Sequence, residues 1–359
     1  MGDLTGGLVG VVGGYGGVGA VAAARLSAWG VAPLRVGGRD TRRTAEAAAR
    51  LGAHACPVDV SNPESLAAFV RGCRVVINCA GPAVVVGDLV ARAARDAGAR
   101  YVDAAGDEEF HRRLEALDWP GTAVISAGMM PGLTGLLPRL LIDGVERPLR
   151  LTGWVGGRDR FTVTAALDYL AAFDRFGETF AAWRGGRRVS RAAAVDPAAG
   201  VPFFPGPVAA TPYLSTETEA LARGLGVADV TWFSVFDGEH LWQALTRQPG
   251  GATVEERAAR LSRAAELDLF GHDPYQLIVA ELAGPSAART LVVRGAGANE
   301  LTGATAAMAA MAVLSGDVPA GVHHAADVLD PRWAAGLLAG VEVLDGPAWE
   351  AAVVEEGVL

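Results

Sequence analysis

The sequence predicts an α/β fold whose first part is a doubly wound parallel sheet, with a second domain of different texture behind it. Three observations carry that expectation. Short apolar runs alternate with helix-like segments through residues 1–130. The runs are continuously apolar, as strands buried on both faces require. A glycine cluster, GGYGGVG at 13–19, falls between the first run and the first helix-like segment.

LVGVVGG reads as a short buried strand, and VGAVAAARLSAWG as an Ala-rich helix. APLRVGGRD is a second strand, and TRRTAEAAARLG a second helix with Asp40 or Thr41 as N-cap. AHACPVDV and PESLAAFVRGC form the third pair, RVVINCAGP and VGDLVARAARDAG the fourth, and ARYVDAAGD and EEFHRRLEAL the fifth. TAVISAG is a sixth strand. Strict βαβ alternation implies a parallel sheet with helices on both faces.

Beyond Pro131 the chain becomes aromatic. Phe173, Phe176, Phe180 and Trp183 recur at helical spacing and read as core or dimer interface. Residues 197–212 are Pro-rich and read as a loop, either a lid or an excursion. VTWFSVF and TLVVRG read as strands bracketing two helices, ATVEERAARLSRAAEL and DPYQLIVAELA. ELTGATAAMAAMAVLSG is a small-residue helix.

Bulk composition excludes several function classes. The 359 residues carry a net charge of -9, which argues against non-specific binding to nucleic acid or anionic membranes. No apolar run reaches the roughly 20 residues of a membrane span. MGDLTGG has no basic region ahead of its apolar stretch, so a secretory signal is not expected and the expected location is cytoplasmic. Cys56, Cys73 and Cys79 lack metal-type spacing and read as buried reduced thiols, so no metal site is expected. All 31 basic residues are Arg. Schiff-base chemistry, a lysine acid and a Walker-A phosphate site are therefore excluded.

With 47 glycines in the chain, a G-x-G-x-x-G match is expected by chance roughly once. Context separates Gly14-x-Gly16-x-x-Gly19 from chance, because it closes the first strand and opens a helix. Gly14 allows the turn, Gly16 admits a pyrophosphate, and Gly19 allows close helix–strand packing. The helix N-terminus adds free N–H groups and partial positive charge. This reads as the dinucleotide site of a Rossmann fold, with Gly14, Tyr15, Gly16, Gly17 and Val18 expected at the phosphates, against the alternative of a structural glycine turn.

The end of the second strand selects the dinucleotide. An NAD site carries an acid there for the ribose 2′-hydroxyl. Here the strand ends Val36-Gly37-Gly38-Arg39, with Asp40 behind the Arg. Gly38 and Arg39 suit a 2′-phosphate, which a guanidinium can pair through two hydrogen bonds, so the expected cofactor is NADP. Arg42 and Arg43 lie within one turn, and at least one of them reads as a solvated helix-face residue. Asp59, at the end of the third strand, is an adenine-edge candidate or a turn residue. Asn78-Cys79-Ala80-Gly81-Pro82 ends the fourth strand, where Ala80, Gly81 and Pro82 are small enough for a dinucleotide to cross. Asp103, at the end of the fifth, is a pocket carboxylate or the cap of the next helix.

GGYGGVG, GGRD and VINCAGPAVVVGDLVARAARDAGARYVDAAGDEEF resemble, in order and spacing, the nucleotide-binding domain of the saccharopine dehydrogenase-like family of NADP-dependent oxidoreductases. SAGMMPGLTGLLPRLL resembles that family's crossing into its second domain. TPYLSTETEAL and LTGATAAMAAMAVLSGDVPAGVHHAADVL resemble later segments. The resemblance implies an NADP-binding Rossmann domain over 1–130 and a second α/β substrate-binding and dimerisation domain over 131–300. It also implies a C-terminal helical segment over 301–359 that packs back on the first domain, and a homodimer. Family reactions include NADPH reduction of a C=N bond; more distant members include enoyl reductases. The Lys/His acid–base pair of the lysine-forming branch has no counterpart in a chain without lysine.

Hydride transfer to a cationic iminium asks little of side chains beyond orientation and a dry pocket. Tyr213 and Asp103 lead the candidate acids, followed by Tyr169 and His240. For each, core packing or solvent exposure is the alternative. His323-His324 lacks a third ligand and reads as a surface pair. Met129 and Met130 are expected near the nicotinamide, or as packing at the domain junction. The expected function is NADPH-dependent reduction of an imine in an amino-acid-derived, small or carrier-tethered substrate. An enoyl reductase and a non-catalytic NADP-binding sensor are the alternatives.

Overall fold

The computed structural model describes residues 7–172, 175–248 and 250–356. In chain order the first elements are β1 (Leu8–Val12), α1 (Gly17–Ala28), β2 (Leu34–Gly37), α2 (Thr41–Leu51), β3 (His54–Ala55), α3 (Pro63–Val70), β4 (Cys73–Asn78), α4 (Ala83–Val86), α5 (Leu89–Asp96), β5 (Arg100–Asp103), α6 (Glu108–Glu115) and β6 (Thr122–Ile125). Then follow α7 (Leu133–Leu136), β7 (Arg150–Arg158), α8 (Val163–Ala172), β8 (Gly177–Thr179), β9 (Ala182–Arg184), β10 (Arg187–Val189), β11 (Asp196–Ala199), β12 (Val208–Ser215), α9 (Thr216–Leu225), β13 (Asp229–Phe236), α10 (Glu239–Thr246) and α11 (Val254–Leu269). The chain closes with β14 (Tyr275–Ala283), β15 (Ala288–Gly295), α12 (Ala298–Ser315), β16 (Gly321–His324), α13 (Ala325–Val328), α14 (Pro331–Leu337), β17 (Val341–Asp345) and α15 (Ala348–Glu356).

Two units divide the chain: Met1–Leu133 with Asn299–Asp330, and Thr134–Ala298 with Pro331–Leu359. The first holds a parallel sheet in the order β16-β6-β5-β4-β1-β2-β3. Order reverses between β1 and β4, which is where sheets of this class bind ligands. Helix capping follows the sequence closely. Asp40 accepts the Arg43 N–H at the start of α2, and Asn62 accepts the N–H groups of Glu64 and Ser65 at the start of α3. The cap of α6 is Asp107, not Asp103. α12 is buried along nearly its whole length and approaches α1 closely. A Cβ on Gly303 would stand 2.6 Å from the Val18 carbonyl oxygen, and Arg25 pairs with Glu300 at 2.6 Å.

The second unit is a mixed sheet in the order β10-β9-β13-β7-β14-β15-β17, with β12 paired to β13 and β11 and β8 paired to β12. Phe204, Val235, Val279 and Val292 belong to one core cluster; Ala166, Ala244 and Leu261 on α8, α10 and α11 belong to another.

Four sequence expectations change. DPYQLIVAELA is strand β14, paired antiparallel with both β7 and β15, rather than a helix. Residues 177–184 form two short strands, so the spacing of Phe176, Phe180 and Trp183 is not helical; Phe173 lies outside the described residues. The Pro-rich stretch 197–212 contains most of β11 and the start of β12. Residues 301–359 do not act as one helical segment. Those up to Asp330 complete the first unit and add β16 to its sheet, whereas β17 pairs with β15 in the second.

Candidate functional site

The site in the first unit is built on the turn after β1. Gly13 carries φ +74°, and a Cβ there would lie 2.7 Å from the Cys79 carbonyl oxygen, so glycine lets this turn pass the end of β4. Gly14 donates its N–H to the Gly37 carbonyl at 2.9 Å, and its own Cβ would meet Val36 at 2.8 Å. Gly19 allows α1 to sit on the turn, since a Cβ would stand 2.3 Å from the Gly13 oxygen. Gly16 differs from these. A Cβ there would meet only the Gly13 oxygen, at 3.1 Å, within 4 Å. Packing therefore explains Gly14 and Gly19, while Gly16, at the N-terminus of α1, is crowded by that one oxygen alone. Gly16 is the N-cap and makes no side-chain cap, so the first N–H groups of α1 are without one. Gly17 and Val18 supply the first turn; a Cβ on Gly17 would strike the Asn299 side chain at 2.6 Å.

At the end of β2 the Tyr15 ring lies against Gly38, where a Cβ would be 2.2 Å from the ring. The phenolic oxygen accepts the Asp40 N–H at 3.1 Å, and the Arg43 guanidinium lies 4.4 Å above the ring centroid. Tyr15 thus excludes any side chain at 38, including the acid an NAD site would use, and holds a cation in its place. Arg39 is exposed beside this platform. Arg42 pairs with Glu46 at 3.7 Å on the exposed helix face, and Arg43 is the residue sequence reasoning left undivided from it. Asp59 sits in the turn beyond β3, and its Oδ1 accepts the N–H and hydroxyl of Ser61 at 3.0 and 2.7 Å. Those bonds, the hydroxyl first, hold its carboxyl below the usual range, and Arg39 adds to the effect. The turn role therefore accounts for Asp59.

Asp103 is only 3% exposed at the end of β5. Its Oδ2 accepts from Asn78 Nδ2 at 3.0 Å and from the Tyr101 hydroxyl, and its Oδ1 accepts the Ala105 N–H at 2.9 Å. Asn78 Oδ1 in turn accepts the Ala80 N–H at 3.1 Å, so this buried chain of bonds fixes the backbone at Ala80, just ahead of Gly81 and Pro82, beyond the carboxyl end of β4. Burial pushes the Tyr101 hydroxyl and the Cys79 thiol well up, with the Asp103 charge adding to both. Neither is a ready proton donor. Met129 donates its N–H to Thr302 Oγ1 at 3.2 Å in the loop after β6, which is held by the Gly128 N–H bonded to the Pro131 oxygen.

Also in the first unit, His324 stacks on His111 at 4.8 Å and approaches the Ser126 hydroxyl at 2.9 Å, so it is not half of a surface pair with His323. Burial, then the neighbouring His111, lowers the His324 pKa. Tyr213 and Tyr169 belong to the second unit. Tyr213 is buried on β12, and burial pushes the Tyr169 hydroxyl up, with Tyr213 adding to it. Among the described residues no group of His, Cys, Asp and Glu has metal-binding geometry, and no helix is long and apolar enough to cross a membrane.

Residues 9–118 match the family model of the saccharopine dehydrogenase NADP binding domain. A probable mitochondrial saccharopine dehydrogenase-like oxidoreductase of Arabidopsis thaliana is 34% identical over 87 residues, which is 22% of this chain and 19% of that protein's length. The solved apo saccharopine dehydrogenase (L-Glu forming) of Saccharomyces cerevisiae matches with a TM-score of 0.65 at 16% identity, covering 95% of this chain and 100% of that one. A likeness at that identity establishes the fold. Residues 9–118 therefore form a saccharopine dehydrogenase-type NADP-binding domain, in a chain with the fold of saccharopine dehydrogenase.

Proposed function

We propose that the chain is an NADPH-dependent oxidoreductase that reduces the C=N bond of an amine-derived imine. The observation that supports the acceptor is the state of Asp103. Its carboxylate is engaged by Asn78, Tyr101 and Ala105, and the hydroxyl and thiol beside it are poor acids. A carbonyl acceptor gains from a proton donor as hydride arrives, whereas an iminium is already cationic and needs none.

In this reading Gly16 and the α1 N-terminus hold the pyrophosphate, and Arg43 on Tyr15, with Arg39, takes the 2′-phosphate. Asp103 acts through Asn78 to hold Ala80, Gly81 and Pro82 where the dinucleotide crosses. The bound cofactor supplies the hydride; the chain supplies orientation and a water-poor wall. A small-molecule or carrier-bound substrate, a homodimer and a cytoplasmic location belong to the same proposal.

The test is single-turnover oxidation of NADPH, followed at 340 nm, with preformed cyclic imines, with mixtures of an aldehyde and an amine, and with enoyl thioesters. Turnover of the imines alone supports the reading. Turnover of the enoyl thioesters alone replaces it with the C=C reductase.

A further inference from the structure

We propose that the second unit carries a binding cleft for an organic ammonium ion with an apolar or aromatic body. The cleft, of about 380 Å³, opens where the carboxyl ends of the parallel strands β7 and β13 come together, at Arg158 and Phe236. That volume sits at the small end of the roughly 300–1,000 Å³ of small-molecule sites.

Its charge is built and fixed. Asp237 Oδ1 pairs with Arg158 at 2.8 Å and its Oδ2 accepts the Tyr275 hydroxyl at 2.7 Å. This spends the one guanidinium among the described residues that line the cleft. Asp268 accepts the backbone N–H groups of His240 and Leu241 at 3.1 and 2.7 Å, and its Oδ1 also takes His240 Nδ1 at 2.7 Å. Gly238 makes room for it, because a Cβ there would lie 2.3 Å from Asp268 Oδ2. A carboxylate only accepts, so Nδ1 carries a proton toward Asp268, and this bond fixes the imidazole ring. The His240 side chain is 58% exposed. With Glu239, three carboxylates stand against one guanidinium among the described residues that line the cleft.

The walls are aromatic. Phe236 and Trp242 lie 6.1 Å apart, and Phe270 at the rim is 87% exposed. Net negative charge, carboxylate acceptors and π faces together select a cation bearing N–H donors and an apolar body. A carboxylate of the same shape meets repulsion, and a neutral alcohol forgoes the charge. Cation binding stands on the cleft alone.

Isothermal titration of the full chain with 2-phenylethylamine, 3-phenylpropionate and 2-phenylethanol at pH 7, each with and without NADPH, tests it. The amine is expected to bind at least 10-fold tighter than either of the others. His240→Gln and Phe270→Ala are each expected to weaken it at least 5-fold, with circular dichroism and NADPH affinity unchanged. Equal or tighter binding of the carboxylate or the alcohol overturns the proposal, as does amine binding indifferent to both variants. A chain that binds NADPH and ignores the amine also overturns it. One that binds the amine but not NADPH keeps the cleft and removes the reductase reading.

Discussion

Replacing Arg43 by Ala removes a cation without disturbing the helix that carries it. The N-cap bond runs from the Arg43 backbone N–H to Asp40 at 2.9 Å and survives the change. What is lost is the guanidinium held 4.4 Å over Tyr15. Exposed stacking of this kind contributes about 0.5–1 kcal/mol to placing the side chain. A hydrogen bond to a charged group contributes about 1.5–3 kcal/mol. At 1.4 kcal/mol per tenfold, NADPH affinity should fall about 10- to 100-fold. NADH lacks the 2′-phosphate and should change less than about 3-fold by the same arithmetic. Fluorescence titration of both coenzymes on the wild type and the variant measures the ratio. Arg39→Ala and the double variant apportion the charge between the two residues. Equal weakening of NADPH and NADH, or unchanged NADPH binding in the double variant, would refute the electrostatic argument.

Gly16→Ala should abolish NADPH binding while leaving thermal stability within about 1 kcal/mol, because its Cβ meets only the Gly13 oxygen, at 3.1 Å. Gly19→Ala should do the reverse and lower Tm. Its Cβ lands 2.3 Å from a backbone oxygen, an overpacking worth about 1–3 kcal/mol or more; similar Tm values for the two variants would contradict the assignment. Asp103→Asn turns an acceptor-only group into one with donors facing donors, so urea denaturation should register a loss of about 2–4 kcal/mol. A loss below about 0.5 kcal/mol would show that the bonds are not formed. His324 has its pKa lowered from 6.5 by burial, so the unfolded chain binds its proton more readily than the folded one. Its contribution is complete above pH 6.5 and is lost as pH falls through the lower folded value. His324→Gln should flatten that part of the stability profile, and an unchanged slope would count against the stacked pair.

The nucleotide half was legible because its signals are local. Gly14, Gly16 and Gly19 follow a strand and open a helix, Asp40 caps, and Gly38 with Arg39 marks the cofactor; each is read within a few residues. Arg43 was not separable from Arg42, since the distinction lies in a ring 28 positions away in sequence, that of Tyr15. Asp103 read equally as a cap because the true cap, Asp107, is only four residues on. β14 was missed for a physical reason. Asp273-Pro274 mimics a helix start, and a strand hydrogen-bonded on both edges and buried through Gln276–Leu282 carries the apolar run Leu277–Ala280, too short to show a period. The His240–Asp268 pair was invisible because its members sit 28 residues apart on different helices.

β16 is the last strand of the first sheet, and 195 residues, 126–320, separate it from its partner β6. At about 5–20 residues per second, the ribosome adds that length in roughly 10–40 s. Throughout this interval the nascent coenzyme-binding half waits with one margin of β6 uncovered, while the intervening residues emerge and fold. A chain stopped before Gly321 leaves that margin open for good, an invitation to pair with a neighbouring polypeptide.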